Sequence, residues 1–291
     1  MVRVAVIGGM GQLGTDLVRV LQQVNSYRVF PLSHAQVECT EPDSVQRVLS
    51  EIRPDIVVHC AAFVNVDECE DRPDKALRVN ALGALHVARA CAELNSLCVY
   101  VSSDYVFDGE QGEPYTEEDT PRPLNIYGTS KLTGEYFVRS LCSKHLVLRT
   151  SGLYGVTGSS GKGGNFVETM IRLAKEREPI RVVNDQVLTP TYTKDLAHTI
   201  KELLQTKAYG LYHVTNSGQC SWYGFAAKIF ELLGLKPDFG QITAAAFGSK
   251  ADRPAYSVLA HDGLKRLGLM DLRPWPEALK SYLQEKGYLK F

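Results

Sequence analysis

Along the first half of the chain, short β-branched and aliphatic runs alternate with longer stretches of helical period. Val2–Ile7 is followed by 14–24, Tyr27–Leu32 by 42–52, Asp55–Cys60 by 73–94, Leu97–Val101 by 126–142, and then Leu146–Arg149. Strands separated by helices in this rhythm are repeated βαβ units. The fold class they predict is α/β, a doubly wound parallel (Rossmann) sheet covered by helices on both faces. Helix starts are also marked: "TEPD" from Thr40 offers a capping residue, a proline near the first helical position and an acid in the first turn.

The pattern loosens after about residue 150. A glycine-rich loop, "GVTGSSGKGGN", leads to a helix near 165–176, a strand "IRVV", a helix near 194–205, a strand "GLYHVT", a helix at 221–234 and a tail containing "WPEALKSYL". Residues 1–150 are therefore expected to form one domain around the sheet, which the glycine turn described below makes a dinucleotide-binding domain. Residues 151–291 form mainly a smaller carboxy-terminal, substrate-binding region that covers the ligand crevice of the sheet, and part of 180–215 returns to that sheet. No internal repeat interrupts this plan.

At 291 residues the chain has ample surface to bury a core. With 32 basic against 33 acidic side chains, a formal charge of −1 and no block of like charge, it lacks the concentrated basic surface that nucleic acid requires. No window approaches the roughly 20 apolar residues of a spanning helix, and "MVRVAVIGG" reads as a buried strand rather than a signal peptide. A cytoplasmic setting is expected, as a monomer or homodimer. The 7 cysteines include no C-x-x-C pair and fit reduced core thiols. The 7 histidines form no H-E-x-x-H pattern or Cys/His cluster, so no metal site is expected.

Between the first strand and the first helix lies "GGMGQLG", in which Gly8, Gly11 and Gly14 are spaced G-x-x-G-x-x-G. Such a turn needs glycine where the backbone reverses, where it approaches a pyrophosphate and where helix and strand pack closely; the helix N–H groups then hold the phosphate. A spaced glycine triplet alone is also compatible with a plain tight turn, and its place after the first strand is what favours a dinucleotide. Versions that bind NAD usually carry an acid at the end of the second strand, about twenty residues on. That end reads Arg28-Val-Phe-Pro-Leu-Ser-His-Ala35 and has no carboxylate. The missing acid removes repulsion towards a 2′-phosphate and favours NADPH over NADH, although no arginine stands there. Ser33 and His34 are candidate contacts or plain loop surface.

"CVYVSSDYVFDG" runs a buried strand into Ser102 and Ser103 at its carboxyl end, where ligands of doubly wound sheets bind. Downstream, "NIYGTSKLTGE" places Tyr127 and Lys131 four residues apart on one helical face. A phenol is a sluggish proton carrier at neutral pH, and a cation one turn away can lower its pKa. In isolation the pair equally suits a solvated helix surface. The glycine turn and the strand-end serine upstream turn it towards chemistry.

Taken with "RPDIVVHCAAFVNVDECE", "SSDYVFDGEQGEPYTEEDTPRPLNIYGTSKLTGE", "NDQVLTPT" and "RPAYSVL", these residues resemble the extended short-chain dehydrogenase/reductases over essentially the full length. Within them the chain is most similar to the dTDP-4-dehydrorhamnose reductase family. That resemblance implies an NADPH-preferring reductase of a nucleotide-linked 4-keto-6-deoxysugar. It makes Ser103 a hydrogen-bond donor to the carbonyl, Tyr127 the proton donor and Lys131 a ribose ligand that tunes Tyr127, with Asn80 in support. It puts Gln12 and Leu13 along the pyrophosphate turn, Glu38 near the adenine and Ala61 and Ala62 beside the cofactor; core packing explains the two alanines equally well. It makes Tyr105, Asn165, Gln186 and Arg253 sugar-nucleotide contacts, Arg253 as a bidentate diphosphate ligand.

Two departures stand out. The family often has a tryptophan in the stretch Arg149-Thr-Ser-Gly-Leu-Tyr-Gly155, where this chain has Gly152, which opens the choice of sugar. Some members share Mg²⁺ between subunits through glutamates; the matching positions are Asp16 and Lys194, and the lysine would put positive charge beside the cation, which argues against the metal. The same branch includes a regulatory β subunit of methionine adenosyltransferase, so a non-catalytic NADP-binding role is the alternative, as is another sugar-nucleotide reductase or epimerase. Asp104 is followed by Tyr105 and not by the glutamate that dehydratases use. "SGKGGN" does not complete a P-loop; the stretch is expected to be a mobile loop leading to Asn165.

Overall fold

The computed structural model describes residues 1–158 and 164–290. The middle of the glycine-rich loop, and with it the loop mobility expected there, lies outside the described residues. The amino-terminal half runs β1 (Val2–Ile7), α1 (Gln12–Gln22), β2 (Tyr27–Leu32), α2 (Pro42–Ile52), β3 (Ile56–His59), α3 (Val66–Asp71), α4 (Pro73–Ala76), α5 (Gly83–Leu94), β4 (Leu97–Ser103), α6 (Ile126–Leu141) and β5 (His145–Thr150). The remainder comprises β6 (Leu153–Tyr154), α7 (Phe166–Glu176), β7 (Ile180–Val183), β8 (Val187–Leu188), β9 (Thr191–Tyr192), α8 (Thr193–Thr206) and β10 (Gly210–His213). It continues with β11 (Cys220–Ser221), α9 (Trp222–Leu233), β12 (Phe239–Ile242), α10 (Ala244–Phe247), α11 (Asp262–Arg266) and α12 (Trp275–Glu285).

Six strands form one sheet in the order β10-β5-β4-β3-β1-β2, and every pairing in it is parallel. A parallel neighbour requires a crossover, and the apolar faces of the intervening helices cover both sides. Val4, Val6, Val58 and Val99 pack on one side with Leu17 of α1 and Ile200 of α8. Ala5, Val57 and Tyr100 pack on the other with Leu49 of α2, Val87 of α5 and Val138 of α6. The chain moves outwards from β1 to β2 and then reverses through β3, so the topological switch, where doubly wound sheets bind ligands, lies at the carboxyl ends of β1 and β3.

Part of 180–215 returns to the main sheet as expected, through β10, and one expected element is interrupted. Of the strands in that range, β10 is the edge strand on β5, whereas β7 pairs with β12 outside the main sheet. The apolar face of β7 instead joins a third core, in which Tyr154, Tyr192, Phe225 and Tyr282 stack against α7, α9 and α12. The continuous helix expected over 73–94 is broken into α4, a π-helical stretch Leu77–Leu82 and α5, with Asn80 inside the wide turn. No described helix is long and apolar enough to cross a membrane. Cys39, Cys69, Cys91, Cys98 and Cys142 are buried.

Candidate active site

The turn after β1 is crowded from three sides. A Cβ on Gly8, whose φ is 78°, would lie 2.8 Å from the backbone nitrogen of Ala61, and one on Gly14 would lie 2.1 Å from the carbonyl oxygen of Gly8. Glycine at 8 thus lets β1 and β3 meet at the switch point, and glycine at 14 lets α1 start against the turn. No side chain caps the N-terminus of α1, so its first-turn N–H groups face outwards beside this cradle. Leu13 packs in the core, while Gln12 donates from Nε2 to the Leu153 carbonyl at 3.1 Å and its buried Oε1 has no protein partner. These features fit the pyrophosphate of a dinucleotide.

Ser33 follows β2 and its hydroxyl donates to Gln36 Oε1 at 2.9 Å. Glu38 accepts from Thr40 through backbone and hydroxyl, both at 2.9 Å, and lies 2.7 Å from His34. Burial pushes the Glu38 carboxyl up, but the Thr40 and His34 contacts hold it below the usual range. The acid is therefore charged and bound to its own loop, leaving no free carboxylate at the end of β2.

At the carboxyl end of β4, Ser103 is buried; its Oγ donates to Asp104 Oδ1 at 3.0 Å and accepts from the Tyr105 N–H at 3.1 Å. Helix α6 brings Tyr127 to this point. Asn125 caps it, accepting from the Gly128 N–H at 2.8 Å, and a Cβ at Gly128 would lie 2.1 Å from the Tyr105 carbonyl oxygen. Tyr127 meets the Tyr105 ring edge-on, with centroids 5.9 Å apart. Burial raises the Tyr127 phenol well above its ordinary value; the Ser103 hydroxyl acts against this and the Asp104 charge adds to it.

Lys131 is 2% exposed, and its Nζ sits 4.1 Å from the centre of the Tyr100 ring. Burial lowers it to about 7, opposed chiefly by Glu135. The expected lowering of Tyr127 by Lys131 needs correction: desolvation dominates at the phenol, and the ammonium lies over Tyr100. Asn80 is 1% exposed, where a mid-helix asparagine would ordinarily be on the surface. Its Oδ1 accepts from the Phe63 N–H at 2.7 Å, and its Nδ2 donates to the Phe63 carbonyl at 3.0 Å and to Ser130 Oγ at 2.9 Å. The π-helical turn aims this amide between α6 and the segment that follows Ala61 and Ala62.

Arg253 reaches the same place from the carboxy-terminal region. Its Nη2 donates to Asp67 Oδ2 at 3.0 Å and its Nη1 to the Ala251 carbonyl at 3.1 Å; its charge acts on the Tyr105 phenol, which burial raises. Asn125 Nδ2, Asp67 Oδ1 and Asp71 bind Asp252, Ala251 and Lys250, so this segment is fastened to α3 and α6. Gln186 is buried just before β8, whose Val187 N–H donates to Ala255 next to it. Asn165, expected to face the sugar, has both amide donors committed inside the fold: Nδ2 to the Gly155 carbonyl at 3.0 Å and to the Tyr282 hydroxyl at 3.1 Å. Its Oδ1 caps α7 through Glu168 N.

Several participants were not foreseen. Asp104 is buried, accepting from Ser151 and Ser257 at 2.7 Å each, and burial raises its carboxyl above the ordinary range. Glu135 and Arg149 form a buried ion pair beneath Ser102. Gly152 has φ 55°, and a Cβ there would lie 2.9 Å from Leu188 Cδ1 and 3.1 Å from the Thr189 carbonyl oxygen, so a larger residue in this left-handed conformation would be strained. Asp16 accepts from Thr193 at 2.5 Å, and Lys194 pairs with Glu285 at 2.6 Å. Among the described residues no group of three or more His, Cys, Asp or Glu could hold a metal ion.

A doubly wound parallel sheet with a glycine cradle at its switch point and Ser103, Tyr127 and Lys131 at the adjoining strand end defines an extended short-chain dehydrogenase/reductase. Over residues 2–287 the chain matches the RmlD substrate binding domain, and it belongs to that family. It is 43% identical over 287 residues to the spore coat polysaccharide biosynthesis protein SpsK of Bacillus subtilis, covering 99% of each chain. It is 36% identical to the dTDP-4-dehydrorhamnose reductase of Escherichia coli, covering 97% of each. The crystal structure of dTDP-4-dehydrorhamnose reductase from Bacillus anthracis in complex with NADP is similar with a TM-score of 0.94 and 43% identity, over 98% of this chain and all of that one, 100%.

Proposed function

We propose that this protein is an NADPH-dependent reductase of a sugar-nucleotide ketone, with a nucleotide-linked 4-keto-6-deoxysugar such as dTDP-4-dehydrorhamnose as its substrate. The observation that carries this is the convergence of Ser103, Tyr127 and Arg253 around Tyr105, at the strand ends beside the glycine cradle. The likeness to a dTDP-4-dehydrorhamnose reductase in complex with NADP supports it.

NADPH supplies the hydride. Gly8, Gly11, Gly14, Gln12 and Leu13 form the pyrophosphate turn, Ala61 and Ala62 let the cofactor lie close, and Ser33 and Glu38 border its adenosine end. Ser103 donates to the substrate carbonyl, which it can do by turning its proton away from Asp104. Tyr127 gives its proton to the carbonyl oxygen. Its raised pKa keeps the phenol protonated but makes it a weaker acid, so its proton moves only as hydride addition turns the carbonyl oxygen into an alkoxide, a stronger base than phenolate. Lys131, in its charged form, holds the nicotinamide ribose, and Asn80 fixes the backbone beneath it. Arg253 binds the diphosphate, with Tyr105 and Gln186 along the same wall and Asn165 shaping that wall from behind. The sugar remains the finer part of the proposal, because Gly152 leaves that side without an aromatic face.

Purified protein mixed with NADPH and a dTDP-4-keto-6-deoxyhexose should oxidise NADPH stoichiometrically, followed at its absorbance. A protein that binds NADPH and oxidises none across a panel of nucleotide ketosugars would leave a binding or regulatory role instead. Tyr127→Phe should keep NADPH affinity and lose turnover by about 10²-fold or more; unchanged turnover removes Tyr127 from proton delivery.

A further inference from the structure

Helix α6 continues one turn beyond Lys131 to Glu135, which is 0% exposed. Glu135 Oε1 accepts from Ser102 Oγ at 2.5 Å and from Arg149 Nε at 2.9 Å, and Oε2 accepts from Arg149 Nη2 at 2.7 Å. Arg149, on β5, is itself 1% exposed, with its guanidinium 5.0 Å from the Phe107 ring centre and its Nη1 3.5 Å from His213 Nε2. One carboxylate thereby joins α6, β4 and β5 at their functional ends: Ser102 directly precedes Ser103, and Lys131 lies four residues before Glu135 on the same face. Stability alone does not account for the pair, since well-packed apolar side chains of similar volume serve a core as well or better.

We propose that Glu135 is a positioning residue for carbonyl reduction: through Ser102 it fixes the strand end that carries Ser103, and from one helical turn away, on the same buried face, it places negative charge near Lys131. This rests on the assignment of Ser103 and Lys131 to the reacting centre. The groups facing Lys131 come from three elements. His59 ends β3, fully buried and neutral, pushed down to about 3 by burial and by Lys131 itself. Cys60 follows it, its thiol pushed up to about 12 by burial, and Tyr100 on β4 offers its ring face. Glu135 faces Ser102, Arg149, Tyr100 and Lys131. Glu135 is the one carboxyl group whose field acts on Lys131 among the described residues. Removing its charge leaves desolvation unopposed, so the ammonium loses its proton at lower pH.

The direct test is an NMR titration of cofactor-free protein labelled with ¹³C at the lysine ε carbons, with Lys131 assigned by the signal missing from Lys131→Met. Glu135→Gln should move the Lys131 midpoint down by about one pH unit or more, and Glu135→Asp should move it less. A midpoint within 0.2 units (roughly the precision needed to resolve such a shift) in folded Glu135→Gln overturns the proposal. Because Glu135→Gln strands the Arg149 charge, Glu135→Gln combined with Arg149→Met removes both charges at similar volume and is held to the same criterion. In turnover, the alkaline limb of kcat should move down by the same amount in the variant. A uniform loss at every pH with the limb in place would make Glu135 merely structural and overturns it too. Failure of the wild type to oxidise NADPH would defeat the proposed function while leaving the lysine titration to decide the counter-charge.

Discussion

Arg253→Ala isolates the diphosphate contact from the rest of the site. The guanidinium side chain is 17% exposed, and its partner Asp67 is 43% exposed. An ion pair this open is worth about 0–1 kcal/mol, so breaking it costs the fold little. Two charge-assisted hydrogen bonds to a diphosphate are worth about 1.5–3 kcal/mol each. Subtracting the Asp67 pair that the substrate must share or displace leaves about 2–6 kcal/mol, which is roughly a 30- to 20,000-fold rise in KM for the sugar nucleotide. The assay is NADPH oxidation against sugar-nucleotide concentration, with dTDP affinity measured separately by calorimetry. The NADPH dissociation constant should stay within about threefold, because Arg253 is held to α3 and not to the glycine cradle. Arg253→Lys keeps the charge, loses the fork and should fall between. A KM within about threefold of wild type in Arg253→Ala, with dTDP binding unchanged, refutes the assignment.

Asn80→Ala leaves the Phe63 N–H and carbonyl without their partners and should lower stability by about 2–5 kcal/mol in urea unfolding; a loss below about 1 kcal/mol would mean the amide is dispensable. Gly14→Ala forces a Cβ to within 2.1 Å of the Gly8 carbonyl oxygen, and NADPH titration should show affinity weakened by at least about tenfold; wild-type affinity refutes a close pyrophosphate approach. For Asp104, burial raises the folded-state pKa above its unfolded value, despite the three serine hydroxyls that lower it. Its contribution is thus complete below the ordinary carboxylate range and is lost as pH rises through the folded value. The unfolding free energy of Asp104→Asn relative to wild type should therefore climb with pH across that interval, and a flat difference counts against a strained carboxylate.

The strands were legible because parallel strands buried on both faces must be continuously apolar; β1 and β2 fall at their expected bounds for that reason. The tyrosine and lysine were legible because their relation is local, four residues along one helix. What was hidden depends on contacts between distant segments. Nothing in "IRVV" distinguishes a strand of the main sheet from one that pairs with β12, since both are short and apolar. A π-helical turn at 77–82 has no sequence signature, so Asn80 gave no sign that it would be buried. Asn165 did carry a signal: Asn-x-x-Glu ahead of an apolar run is a capping pattern, and it outweighs a sugar contact once Gly155 and Tyr282 take the amide.

Glu135 shows why a motif can be read correctly and still be read short. In "NIYGTSKLTGE" its spacing from Lys131 matches that of Lys131 from Tyr127, and an i,i+4 lysine–glutamate pair ordinarily belongs to a solvated face. Solvation makes such a pair cheap and weak, whereas burial makes the same carboxylate costly unless its hydrogen bonds are complete. Arg149 and Ser102 complete them here, from strands that no local pattern connects to the helix. The chemistry expected of Lys131 needs a cation in a dry site, and a cation in a dry site needs a counter-charge held as firmly as itself. On the proposed roles of Tyr127 and Lys131, the acid one turn along, fixed by a buried guanidinium, meets that need, and would extend the reacting centre from Tyr127 through Lys131 to β5.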